Sequence, residues 1–253
     1  MKNLIVLLIF YVSNSVFGQQ NNFIIKYNLE YKKDSMSYHY DNDVMLLLYS
    51  HDKSIFIPEN LYKVDSIMNL GTANFSMISS LPKSNYKFHI KKDENRITYF
   101  DRIYTTNIYY EQRINFDWEI TDETLNLNGY LAKKAITNFG GRKWIAWYTE
   151  EIPVSDGPYK FYGLPGLIIK IRDENNNFNF ELISLKNELK SMNILENNFI
   201  KITKDDFKKL RRDFLDDPIY FINKGDVKTN FSSEIMDRII LNVNKNNNFL
   251  ELE

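Results

Sequence analysis

Arg142-Lys143-Trp144-Ile145-Ala146-Trp147-Tyr148-Thr149 is the stretch on which the fold turns. In an extended chain successive side chains point to opposite faces. Arg142, Trp144, Ala146 and Tyr148 therefore share one face, and Lys143, Ile145, Trp147 and Thr149 share the other. A large aromatic on each face describes a central strand of a sheet, and Ala146 leaves room for a bulky neighbour. The same pattern also fits a ligand groove, with Trp144 and Tyr148 in its wall and Arg142 receiving an anion.

The sequence on either side extends the pattern. Upstream, Gly129 and Gly140-Gly141 punctuate extended runs at Leu125 to Leu127 and Tyr130 to Phe139. Downstream, Ile152-Pro153 ends the strand, and Ser155-Asp156-Gly157-Pro158 predicts a sharp turn. Gly157 can take positive φ there at little cost, and Asp156 can bond the backbone beyond it. Leu164-Pro165-Gly166-Leu167 fits a type II turn, with proline at i+1 and glycine at i+2. These turns bracket Tyr159-Lys160-Phe161-Tyr162. The loop is either a rigid corner or a preshaped recognition surface. It is no phosphate loop, because the Lys-Ser/Thr pair and the following helix are missing.

Farther out, Phe23 to Lys32 alternates as a half-buried strand, and Val44 to Tyr49 is apolar enough to be buried on both faces. Ser54 to Ile57 pairs with it through a turn at His51-Asp52-Lys53. Pro58 ends that strand, and Asn60 is placed to cap a short helix. Leu70 to Asn85 reads as loop. Strands are expected at Tyr86 to Lys91, Arg96 to Phe100, Arg102 to Gln112 and Phe116 to Ile120. Leu167 to Arg172 and Phe178 to Leu185 form a hairpin about Asp173 to Asn177. Thr203 caps a helix that Pro218 stops, and a second helix runs from Ser232 to Val243. The expected fold is mainly β (α+β). It is a large curved antiparallel sheet or partly open barrel, with short helices chiefly toward the C-terminus.

Lys2, the apolar run Leu4 to Val12 and the small-residue stretch Ser13 to Gly18 form a secretory signal pattern. We expect residues 1–18 to be removed and residues 19–253 to form a single domain. No later run is long enough for a transmembrane helix. The chain contains no cysteine, which excludes disulfides, thiol nucleophiles and a lipoprotein's acylated cysteine. Without Lys2 the chain has 31 basic and 33 acidic residues, a net charge of −2. That balance argues against a nucleic-acid partner.

The run Gly140 to Ile169, GGRKWIAWYTEEIPVSDGPYKFYGLPGLII, ends in Gly163-Leu164-Pro165-Gly166-Leu167-Ile168. It closely resembles the signature of the GLPGLI family, exported proteins of Bacteroidetes-type bacteria. The resemblance is tight from Gly129 to Ile171. It implies a periplasmic, outer-membrane-associated or secreted protein, and a role beside outer-membrane TonB-dependent transport. It implies no reaction. Relatives often carry a cysteine within Gly-Tyr-x-Cys-x-Lys-Ala; here that stretch reads Gly129 to Ala135 with Ala132 at the cysteine position, so a thiol role cannot operate.

No catalytic set, cofactor or metal site emerges. His39, His51 and His89 lack a zinc spacing; His39 with Asp41, Asp43 and His51 could gather a metal only if that early loop folded back; and there is no Gly-x-Ser-x-Gly elbow. The sequence leans away from catalysis. The candidate binding residues are Arg142, Trp144, Tyr148, Asp156 and Tyr159. The leading expectation is a non-catalytic exported protein that binds an envelope partner or ligand. One alternative is a carrier of an apolar ligand on the curved sheet. Another is an envelope peptide or glycan hydrolase, which would need Arg142, Asp156 and Tyr159 to converge in one cleft.

Overall fold

A computed structural model describes residues 22–252, apart from residues 70, 72–73, 82, 95, 189 and 225–231. The expected signal segment lies outside the described residues. Strands β1 (Asn22–Tyr31), β2 (Asp41–Ser50), β3 (Lys53–Pro58), β4 (His89–Asp93), β5 (Arg96–Ile103) and β6 (Thr106–Arg113) form one antiparallel meander. Strands β7 (Glu119–Leu127), β8 (Tyr130–Phe139), β9 (Arg142–Thr149), β10 (Leu167–Asp173) and β11 (Phe178–Asn187) form a second. The meanders join where β1 pairs with β11, Tyr31 opposite Phe178. The short β12 (Ile200–Lys201) lies parallel to β6, so the 12-stranded sheet is mixed.

This sheet is wrapped but not closed. Strands β6 and β7 are ten places apart in the order β12-β6-β5-β4-β3-β2-β1-β11-β10-β9-β8-β7. In a flat sheet that separation would be about 48 Å. Yet only six peptide steps join Arg113 to Glu119, a reach of at most about 22 Å. The sheet must therefore curl until its far strands approach each other. The connecting bridge is pinned in passing: Trp118 Nε1 donates to Tyr162 O at 2.9 Å, and the Tyr162 hydroxyl donates to Ile114 O.

Tight turns fit their residues. His51 and Asp52 (φ 51° and 59°) and Asn128-Gly129 (φ 53° and 85°) have the paired positive φ of type I′ hairpins. The inner face of the sheet carries the main core, including Tyr27, Tyr31, Phe56, Phe88, Trp144, Phe161, Phe178 and Phe180. On the outer face Ile24, Leu46, Leu48, Ile55 and Ile57 pack under Tyr62 of helix α1 (Glu59–Asn69) and against Met192 and Ile194. This outer cover explains why β2 is apolar on both sides.

Several local expectations are corrected. Helix α1 begins directly after Pro58, so Asn60 lies within it and is no cap. The supposed loop 70–85 contains α2 (Phe75–Ser80), with Asn74 Oδ1 accepting from Met77 N at 2.8 Å. Strand β5 continues through Asp101 and turns at Tyr104 (φ 54°). Phe116 and Trp118 belong to the bridge rather than to a strand, because their rings pack on Phe161. Thr203 does cap α3 (Lys204–Asp216), accepting from Asp206 N at 3.0 Å. Pro218, however, opens a further helix α4 (Pro218–Lys224), since a first-turn proline lacks only an N–H that has no helical partner. Helix α5 (Ser233–Asn244) follows residues 225–231. Among the described residues, no helix is long and apolar enough to cross a membrane.

Candidate functional site

The signature strand is anchored on both sides. Trp144 is fully buried and donates Nε1 to Phe139 O at 3.0 Å. Arg142 stacks 4.9 Å over Phe178 and donates to Asp173 at 3.2 Å, Asn248 at 2.6 Å and Phe249 O at 2.7 Å. Its donors are thus directed to β10 and to a C-terminal tail that crosses the inner side of the sheet. Leu252 N completes that crossing by donating to Gly140 O at 2.8 Å. Burial pushes the Arg142 guanidinium down, and Asp173 opposes the shift. Tyr148 is buried farther along β9, opposite Ile168 and Lys133 in the two neighbouring strands.

The loop after β9 corrects both turn expectations. Gly166 N donates to Leu164 O at 2.8 Å, an i→i+2 closure tighter than a type II turn. Gly166 has φ 155°, and a Cβ there would lie 2.1 Å from Thr149 O. Gly157 does not use positive φ; its need is space, because a Cβ would sit 2.8 Å from Ile168 Cβ. Asp156 does accept from Gly157 N at 2.7 Å. It is also ion-paired with the buried Lys92, which donates to Gly157 O at 2.7 Å as well. Burial lowers the Lys92 pKa, and Asp156 opposes that.

The next residues carry a second buried network. Tyr159, at φ 56°, donates to Glu251 at 2.7 Å. Lys160 is fully buried, ion-paired with Glu251, and donates to the Tyr110 hydroxyl at 2.8 Å. Its ammonium also lies 4.6 Å from the centre of the Tyr99 ring. Burial pushes Lys160 down to about 8 despite Glu251. Burial pushes the Glu251 carboxyl up, but the ammoniums of Lys160 and Lys204 outweigh it and hold the group down at about 2. Lys204 of α3 is 2.8 Å from Glu251.

Beside this network lies a cavity of about 460 Å³. Its floor is aromatic: Tyr31, Tyr86, Phe88, Tyr99 and Tyr159. Consecutive ring centres lie 5.0 Å (Tyr31–Tyr86), 5.3 Å (Tyr86–Phe88) and 5.5 Å (Phe88–Tyr99) apart. Phe214 and Leu215 of α3, Val243 of α5 and the tail residues Phe249 and Leu250 face it. Lys87, Asp101, Arg102 and Arg211 supply charge. Burial pushes the Asp101 carboxyl up to about 6, against the bonds it accepts from Arg102 N and the Tyr99 hydroxyl.

Of the five candidate binding residues, only Tyr159 lines this cavity. Arg142 and Trp144 secure the strand and the tail, Tyr148 lies farther along the same strand, and Asp156 holds Lys92. Arg142, Asp156 and Tyr159 therefore bind separate partners instead of converging. Gly163 to Ile168 form the corner into β10, where Leu164, Leu167 and Ile168 are buried. His39, Asp41, Asp43 and His51 do not gather either. Asp43 accepts from Ser84 and Asn85, and His51 sits past the opposite end of β2. Sequence reading missed Arg211, Phe249 and Glu251, which reach the site from α3 and the tail. The one local signal was Lys160, a charge embedded among the aromatics of the loop.

A family model described as a protein of unknown function (Porph_ging) matches residues 139–170, which carry β9 and the loop. No curated protein sequence matches the chain. In fold the chain is similar to PNGF-II, in space groups P21 and C2. The TM-score is 0.53 in both cases, with 18% and 17% identity over 75% of this chain. The chain spans about a third of the length of those proteins, 33% and 32%. It also overlaps the LolA superfamily protein NE2245 from Nitrosomonas europaea, with a TM-score of 0.31 and 9% identity over 68% of this chain and 89% of that one. The PNGF-II likeness concerns the fold alone, and the last overlap is too distant to add to it.

Proposed function

We propose that this chain is an exported, non-catalytic binding protein of the cell envelope, one domain after removal of residues 1–18, and that its ligand is a small molecule with an apolar or aromatic body. The observation that carries the reading is the aromatic-floored cavity of about 460 Å³ between the sheet, α3 and the tail. A concave, mostly apolar cavity of this size with a few polar groups is the usual form of a small-molecule site. The apolar-carrier reading and the binding reading thus share one place. GLPGLI membership is supported by the Gly140 to Ile169 run. Export is supported by the signal pattern, and a role beside TonB-dependent transport by the family resemblance.

Native mass spectrometry of protein recovered from the envelope tests the reading. Wild type is expected to retain a small-molecule adduct that organic solvent removes. Leu215→Trp, which fills the cavity from α3, is expected to lose the adduct while remaining folded. An equal adduct in both proteins would place binding elsewhere, and a bare wild-type protein would count against a small-molecule ligand.

A further inference from the structure

The cavity's charges do not balance, and the imbalance specifies one end of the ligand. Four cationic side chains line it, Lys33, Lys87, Arg102 and Arg211, against Asp101 and Glu251. Lys33 is paired with Asp41 at 3.0 Å. Glu251 is neutralised by Lys160 and Lys204. Both Asp101 oxygens accept hydrogen bonds, from Tyr99 and from the Arg102 backbone. Three cations thus remain against one engaged carboxylate.

Among the described residues, Lys87, Arg102 and Arg211 have no carboxylate oxygen within 4 Å, although the charges of Arg211 and Lys87 reach Asp101 from farther away. Arg211 is the telling one. It is half-buried on α3, and its guanidinium lies 4.4 Å from the Phe249 ring centre and 5.2 Å from that of Phe207. Stacking occupies the flat face of a guanidinium and leaves its N–H edge available for a planar or tetrahedral oxyanion. Lys87 and Arg102 are exposed and add attraction without the burial cost.

Building on the binding reading above, we propose that the cavity takes an organic anion. The apolar or aromatic body packs on the Tyr86–Phe88–Tyr99 floor, and the acid group is received by Arg211, with Lys87 and Arg102 at the margin. The charged group sets orientation, and the body supplies the buried area.

Two probes with the same rings separate these contributions: 8-anilino-1-naphthalenesulfonate, which is anionic, and N-phenyl-1-naphthylamine, which lacks the sulfonate. With the purified folded protein, calorimetric titration is expected to show the anion binding at least about tenfold more tightly, as suits a charge-assisted contact. Added salt is expected to narrow the gap. Arg211→Gln is expected to remove most of that gap without weakening the neutral probe. Lys87→Gln with Arg102→Gln, both exposed, provides an independent variant with little risk to folding and should narrow the gap in the same direction. Equal affinities in wild type would overturn the anion inference and leave the binding reading intact. An anion preference unchanged in all variants would also overturn it. Binding of neither probe would remove the binding reading itself.

Discussion

Lys160 and Glu251 stand 91 positions apart in the chain and form an ion pair in the interior, one from the signature loop and the other from the C-terminal tail. Neither is rescued by water: Lys160 is fully buried and Glu251 nearly so. Glu251→Gln keeps the shape but leaves an ammonium without its counter-charge. Breaking such a pair costs about 3–5 kcal/mol, so a lower urea midpoint is expected. Adding Lys160→Met should recover much of the loss, because an apolar replacement no longer needs a partner. No recovery in the double variant would mean that Glu251 acts mainly through Tyr159 and Lys204.

Acid should reveal the same pair. A carboxyl depressed on folding stabilises above its unfolded pKa and loses that contribution as pH falls through its folded value. For Glu251 the contribution is full above about 4.5 and disappears toward about 2. Asp101 has the opposite sign: pushed up to about 6, it adds stability as pH falls from there toward 3.8. Melting temperatures measured from pH 7 to pH 2 are expected to decline more gently in Glu251→Gln below pH 4.5. An identical acid limb in both proteins would contradict the assignment.

The two glycines of the corner should respond differently. Gly166→Ala forces a methyl onto the Thr149 carbonyl, 2.1 Å away, and about 3 kcal/mol or more is expected from such overpacking. At Gly163 (φ 93°) a Cβ would meet Trp118 Nε1 at an ordinary 3.8 Å, so only the backbone penalty applies, about 1–2 kcal/mol. Urea unfolding of the two variants checks the order; a Gly163→Ala loss equal to that of Gly166→Ala would show that space is not the deciding factor.

Arg142→Ala and Trp144→Ala are expected to act on stability rather than recognition. Truncating a buried tryptophan costs about 3–5 kcal/mol, and removing Arg142 leaves Asp173 buried without its cation at a similar cost. The sum is comparable with the whole net stability of a domain, about 5–15 kcal/mol. The double variant should therefore show little near-ultraviolet circular dichroism. A well-folded double variant would argue that the strand is less central than its burial implies.

The sheet was legible because alternation is a local signal. Phe23 to Tyr31 and Arg142 to Tyr148 each declare a buried face through their own residues. What was illegible depended on partners far away in sequence. β12 is two residues long and exists through its pairing with Ile108 and Tyr109. Phe116 and Trp118 alternate as a strand would, but their rings are claimed by Phe161. Pro218 carries the same chemistry whether it ends one helix or begins another. In the site, Tyr159 was within reach of sequence reasoning because the motif contains it. Arg211, Phe249 and Glu251 have ordinary surroundings in the chain and gain meaning only when α3 and the tail fold onto the aromatic floor.

The short bridge from Ile114 to Trp118 works as a drawstring on the curled sheet. Its residues are held by hydrogen bonds to Tyr162 and by ring packing on Phe161, so the far strands are tied to the signature loop as well as to each other. The opposite wall, made of α3 and the tail, is stitched as well: Lys204 and Lys160 hold Glu251, Arg142 holds Asn248 and Phe249, and Leu252 N donates to Gly140 O. The cavity is thus bounded by two walls that are each laced to the signature segment, one through Tyr162 and Phe161 and the other through Arg142 and Lys160.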